Sequence, residues 1–251
     1  MTLPHDRSSA ADLAAARKPP DRVGAAALML GVVGAFAGFA IGPMVPDAHD
    51  LPAVLQGFAE APTRSHLHGL GISVSALLLL FGYRALAGGL ADARARWWAQ
   101  AGLAAAVVKT AIHLLGATLG GNVLPTLATQ ALDGRPDAPA VTAAAGSIYV
   151  LYEALLAPTF LTLAMTTALF AGALIASSEH SSVLGWAGLA PAAWAAIGGV
   201  TFILVGPLQA AELLVPFLPG FMLVMVWVFA VGVVAWRDAR PEPHRSRRSV
   251  A

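Results

Sequence analysis

HLHGLGISVSALLLLFGYRALA, running from His66 to Ala87, carries one charge, Arg84, close to its end. A membrane-crossing helix needs about 20 predominantly apolar residues, and this stretch supplies them. Working outward, one comparable run precedes it, Val23 to Val45, and four follow: Trp97 to Gly120, Val141 to Ala176, Val183 to Leu208 and Leu213 to Trp236. The expectation is an all-α polytopic membrane protein, a six-transmembrane-helix bundle over residues 23–236. Residues 1–22 form a tail before it and residues 237–251 a basic tail after it.

The basic residues orient these spans. Arg7, Arg17, Lys18 and Arg22 precede the first span, Arg84, Arg94 and Arg96 surround the second connection, and Arg237, Arg240, Arg245, Arg247 and Arg248 follow the last. The alternate connections carry only Arg64 and Arg135, beside Asp47, Asp50, Glu60, Asp133 and Asp137. The positive-inside rule then predicts both termini in the cytoplasm, as in a bacterial-type inner-membrane protein.

Composition agrees with the class. A hydrophobic share of 57% with 12% charged residues departs from a soluble domain, where these values lie near 45–50% and about 25%. The net charge of +1 excludes a nucleic-acid partner, which requires a concentrated basic face. The lipid bilayer is the expected partner, with the basic C-terminal tail against anionic headgroups. With no cysteine, thiolate metal sites, iron–sulfur clusters, disulfides and cysteine nucleophiles are excluded together. The first 22 residues are too polar for a signal-peptide core, so the first span is expected to be retained.

The fourth apolar stretch is too long for one crossing, so it either bends at Pro158 or extends beyond the bilayer. Gly34, Gly38 and Gly42 recur every fourth residue in the first span, and Gly116 and Gly120 repeat the device in the third. Small residues at that spacing admit a close-packed helix, either within the chain, in a homodimer or from another membrane protein. Trp97 and Trp98 read as an interfacial belt. The connections Pro46 to Ser65 and Gly121 to Ala140 read as irregular or partly helical loops.

Titratable groups inside a membrane are costly and are the default functional candidates. His66 and His68 open the second span, Lys109 and His113 share one face of the third, Tyr149, Tyr152 and Glu153 lie in the fourth, and Glu212 begins the sixth. At 1.5 Å per residue, Lys109 lies about 18 Å and His113 about 24 Å above Trp97. His68 falls near the level of His113. Glu153 is about 16 Å higher than Lys109 by the same count, a gap that helix tilt or a bend at Pro158 would have to narrow for the two to pair. His66 and His68 read either as a water-facing helix end or as ligands, and His113 either as a hydrogen-bonded structural histidine or as a ligand. Lys109, Tyr152, Glu153 and Glu212 read as a polar network that locks helices together or lines a path.

The segment Arg64 to Arg84, RSHLHGLGISVSALLLLFGYR, resembles the second span of haem–copper oxidase and nitric oxide reductase subunit I and of small bacterial membrane proteins that carry a similar segment. The resemblance implies haem b as cofactor, with His68 or His66 as a ligand and His113 as the intramembrane partner. The chain departs from that superfamily in having six spans and in lacking the histidine set of its binuclear centre, so oxygen or nitric oxide reduction is not implied. The C-terminal half, with its LGWAGL stretch, resembles bacterial multi-span families of unestablished role. Three readings follow: a protein binding haem or a metal through outer-half histidines, a small-molecule or proton-coupled transporter, and a noncatalytic membrane subunit or assembly partner. Catalytic motifs such as nucleophile elbows and phosphate loops are missing, so an enzyme is the least favoured reading.

Overall fold

The computed structural model describes residues 21–42, 49–134, 136–178, 180 and 182–239, apart from the side chains of 210–212. Of the expected tails, residues 1–20 and 240–251 lie outside the described residues, as do Asp47, Arg135 and the Glu212 side chain, whereas Arg22 and Arg237 belong to helices. Nine α-helices and one π-helical turn make up the described part, which contains no strand. They are α1 Arg22–Ile41, α2 Leu51–Glu60, α3 Pro62–Gly89, α4 Ala93–Thr118, the π turn Leu119–Val123, α5 Leu124–Leu132, α6 Ala138–Ala154, α7 Leu156–Ala176, α8 Ser182–Val205 and α9 Pro207–Asp238.

Among the described residues six helical segments are long and apolar enough to cross a membrane: Arg22–Ile41, Pro62–Gly89, Ala93–Leu132, Ala138–Ala176, Ser182–Val205 and Leu213–Asp238. The chain is therefore a six-span membrane protein. Its spans pack in the order of the sequence, α1 on α3, α3 on α4, α4 on α7, α7 on α8 and α8 on α9, and α9 returns to α1 to close the ring. At the closure Arg22 Nε donates to the Ala239 carbonyl at 3.0 Å, and its guanidinium lies 5.8 Å from the Trp236 ring centroid. Both described ends thus share one face of the bundle, here the terminal face. Arg84, Arg94, Arg96 and Arg237 sit at helix ends on that side, and exposed Trp97 and Trp186 flank it.

Close approach explains the glycine pattern. A Cβ on Gly31 would meet Leu79, one on Gly34 Ser75, one on Gly38 Ile72 and one on Gly42 the His68 ring. The first-span glycine face is therefore consumed inside the chain, against α3. Ser75 ties the same seam by donating to the Gly31 carbonyl. Gly116 and Gly120 likewise face Leu155 and Tyr152 of the fourth span. Burial inside the bundle centres on Leu79, Tyr83, Phe160, Phe170, Phe202 and Trp227. Dispersion between close-packed side chains holds such helices together where lipid offers no hydrophobic gain.

The connections opposite the terminal face are more ordered than the loops read from the sequence. Asp50 caps α2 through the Ala53 N–H at 3.2 Å, and Pro52 occupies the first turn of α2, where a missing N–H costs nothing; Pro125 instead follows the π turn directly and withholds one N–H from a continuous helix. Val54, Leu55 and Phe58 of α2 pack on Leu124 and Ala128 of α5 and on Ala145 and Tyr149 of α6 as a second, smaller core. This cap accounts for the excess length of the third and fourth spans. The fourth breaks at Leu155, and α7 alone, at about 31 Å, matches a hydrocarbon core. Glu153 therefore sits at the junction between bundle and cap.

Candidate functional site

The polar residues assemble from α3, α4 and the broken fourth span. Lys109 is 1% exposed, on the α4 face that continues through His113, Gly116 and Gly120. Antiparallel packing sets what lies opposite: Gly102 meets Phe170 and Leu169, Gly116 meets Leu155, and Gly120 meets Tyr152. Lys109, midway between the first two contacts, is level with Thr162, and His113 is level with Pro158. No ion pair to Lys109 is found among the described residues. His113 follows Lys109 by one turn on the same face of α4.

The same register puts Glu153 level with Leu119, ten residues or about 15 Å above Lys109. Neither tilt nor the break at Leu155, three residues before Pro158, brings the two together. Glu153 is 9% exposed, and buried Tyr149, one turn earlier, hydrogen-bonds its carboxyl. Tyr152 packs its ring against Gly120, where any Cβ would collide with it. On α7 opposite Lys109, the Thr162 hydroxyl donates to the Pro158 carbonyl at 2.6 Å and the Thr166 hydroxyl to the Thr162 carbonyl at 2.7 Å. Two polar levels result, a lysine–histidine level inside the bundle and a tyrosine–glutamate level beneath the cap.

The histidines do not converge. His66 Nδ1 meets the Gly121 carbonyl in the π turn, His68 Nδ1 meets the Gly38 carbonyl of α1 at 2.7 Å, and His113 Nδ1 meets the Lys109 carbonyl of its own helix at 2.8 Å. A carbonyl only accepts, so each Nδ1 is the donor, and in the neutral ring Nε2 keeps its lone pair. For His68 that is the tautomer a metal-ligating imidazole adopts. The ring nevertheless points to α1, with Phe39 edge-on at 6.4 Å, while α3 separates α1 from α4 and His113. These residues do not fit a haem bridged by His68 and His113. Among the described residues no group of three or more His, Asp or Glu could hold a metal ion.

Two cavities adjoin these residues. An open cleft of about 550 Å³ on the cap side is lined by Ile41, Glu60, Arg64 and Leu67 among others; Arg64 is engaged there with the Ile41 carbonyl at 2.7 Å. The second, about 260 Å³, lies at the break in the fourth span and is lined by Glu153, Ala154, Ala157, Pro158, Phe202, Ile203, Gly206 and Pro207. Sequence reading found Glu153 and Pro158 but missed Ile203, Gly206 and Pro207. Their signal is the Gly206–Pro207 step, where φ of +87° favours glycine. Also missed was Tyr83, stacked on Phe170 at 4.7 Å, whose hydroxyl is a buried polar atom without a hydrogen-bond partner among the described residues.

Compared with protein-family models, curated proteins and solved structures, the chain finds no significant match.

Proposed function

We propose that the chain is a proton-coupled carrier of a small polar solute in a bacterial-type inner membrane, with the terminal face cytoplasmic. The observation that carries this reading is Lys109, fully buried within a membrane span and without a carboxylate partner among the described residues. A charge so placed is expensive, and its usual use is in an ion or proton path. Broken helices support the same reading. The third span widens into a π turn, a feature frequent at functional sites, and the fourth breaks between Ala154 and Leu156 at the level of that turn. Discontinuous helices at matched depth frame the binding sites of many secondary transporters. In this reading Lys109 and His113 exchange protons, and the Glu153 level receives the solute.

The test is proton flux into pyranine-loaded liposomes containing the purified protein, driven by a valinomycin-set potassium diffusion potential. Flux above that of empty liposomes is expected, and Lys109→Met is expected to lower it at least roughly tenfold. Equal flux in the variant and wild type overturns the reading, as does flux no greater than that of empty liposomes. An absorption spectrum of the same preparation, with and without dithionite, addresses the haem expectation separately. A reduced haem b band lost in His68→Ala would replace the carrier reading with an electron-transfer one.

A further inference from the structure

We infer that the 260 Å³ cavity at the break of the fourth span is a binding site for a primary ammonium group. This deepens the carrier reading by naming the chemistry of the solute, and it rests on that reading only for transport, not for binding. The argument starts from two prolines. Pro158 has no N–H to give the carbonyl of Ala154, four residues before it, and Pro207 has none to give the carbonyl of Ile203. All four residues line the cavity. Among the described residues neither carbonyl meets another donor, so both are acceptors that protein or ligand must satisfy at membrane depth.

The third acceptor is Glu153, whose carboxyl is fixed from one side by Tyr149. None of the residues lining the cavity is basic. The helix ends cancel in pairs: α6 ends where α7 begins, and α8 ends where α9 begins, so positive and negative dipole ends meet at both breaks. Glu153, the one acidic group in the lining, then sets the sign of the site when it is ionised, which favours a cation. Three acceptors, one of them anionic, match the three N–H donors of a primary ammonium. A quaternary ammonium offers no donor and leaves both carbonyls without a partner at membrane depth. Phe202, Ile203 and Ala157 supply apolar wall for the body attached to the ammonium. The cavity lies at one end of the hydrocarbon-length helix α7, the depth at which a lipid amine or a small amphiphilic amine presents its head.

The test uses the full chain in detergent and in phosphatidylcholine nanodiscs, titrated with phenethylammonium and, as comparison, its N,N,N-trimethyl derivative. Saturable binding of phenethylammonium at one site is expected, with at least roughly tenfold weaker binding of the trimethyl compound. Glu153→Gln is expected to weaken the primary amine by roughly tenfold or more. Pro158→Ala keeps the charge but restores an N–H for the Ala154 carbonyl, and it is expected to weaken binding severalfold while raising thermal stability. The inference is overturned by absence of saturable binding, by equal affinity for the trimethyl compound, or by unchanged affinity in both folded variants. Repeating the titration with phosphatidylethanolamine added identifies the source: competition marks a lipid amine, and unchanged affinity marks a free one. Binding without Lys109-dependent proton flux retires the carrier and keeps the site; flux without binding does the reverse.

Discussion

Asp92 shows how one exposed residue on the terminal face joins two elements. Its carboxylate accepts from the backbone N–H of Ser178 at 2.7 Å and from the Ser178 hydroxyl at 2.9 Å, tying the start of α4 to the turn after α7. Those two hydrogen bonds hold the Asp92 carboxyl below its ordinary value of 3.8. A carboxyl lowered in the folded state stabilises above its unfolded value and loses that contribution as pH falls through the folded one. Asp92→Asn is therefore expected to unfold at lower temperature than wild type at pH 7, with the difference closing as pH drops below 3.8. A pH series of melting curves in detergent checks this, and a difference that persists unchanged at the acid end would rule out the linkage. Lys109 and Glu153 were legible in the sequence because charge stands out against apolar surroundings. The Ala154 and Ile203 acceptors were not, because a backbone carbonyl has no residue letter. Only a proline four positions later betrays it.

Among elements, α3 has the most demanding neighbours. It uses Leu79, Ser75, Ile72 and His68 against α1, and on its other side the Gly69 backbone touches the π turn, where a Cβ would lie 2.7 Å from the Ala117 oxygen and 2.8 Å from the Gly121 Cα. His66 helps that turn by meeting its Gly121 carbonyl. Gly69→Ala must push backbone from backbone, an overpacking that costs about 1–3 kcal/mol. Gly88→Ala, near the end of the same helix, meets nothing within 4 Å and is expected to be neutral or to stabilise by up to about 1 kcal/mol. Melting both variants together separates helix propensity from packing; equal shifts would deny the close crossing. The spans themselves were readable from length and hydrophobicity. The π turn was not, because Gly120 and Gly121 read as the end of a span, and α2 was hidden in a polar connection although Asp50 and Pro52 mark its start.

At the scale of the whole molecule, six spans put both described ends on one face, and the absence of cysteine makes the sidedness measurable. Single cysteines at Ala91, in the terminal-face turn, and at Asp133, in the cap, are expected to label from opposite sides of right-side-out membrane vesicles with an impermeant maleimide. Asp133→Cys should react without permeabilisation and Ala91→Cys only after it, if the arginine-rich face is cytoplasmic. The reverse pattern would invert the assignment, and labelling of both from one side would break the six-span topology. The number of crossings and their order were legible because each span is one long apolar run. Their closure was not, because no local pattern announces that the last helix meets the first.

That closure has a consequence for how the chain can be cut. Every span touches its predecessor and successor, and the final one touches the first through Arg22 and the Ala239 carbonyl, so no particular turn is privileged as the place where the polypeptide begins. Joining the described ends near Arg22 and Ala239 with a short linker and opening the chain between α7 and α8 leaves every neighbouring pair of helices intact. Such a circular permutant is a rearrangement that the ring tolerates geometrically, with the insertion order of the helices changed and their final neighbours unchanged.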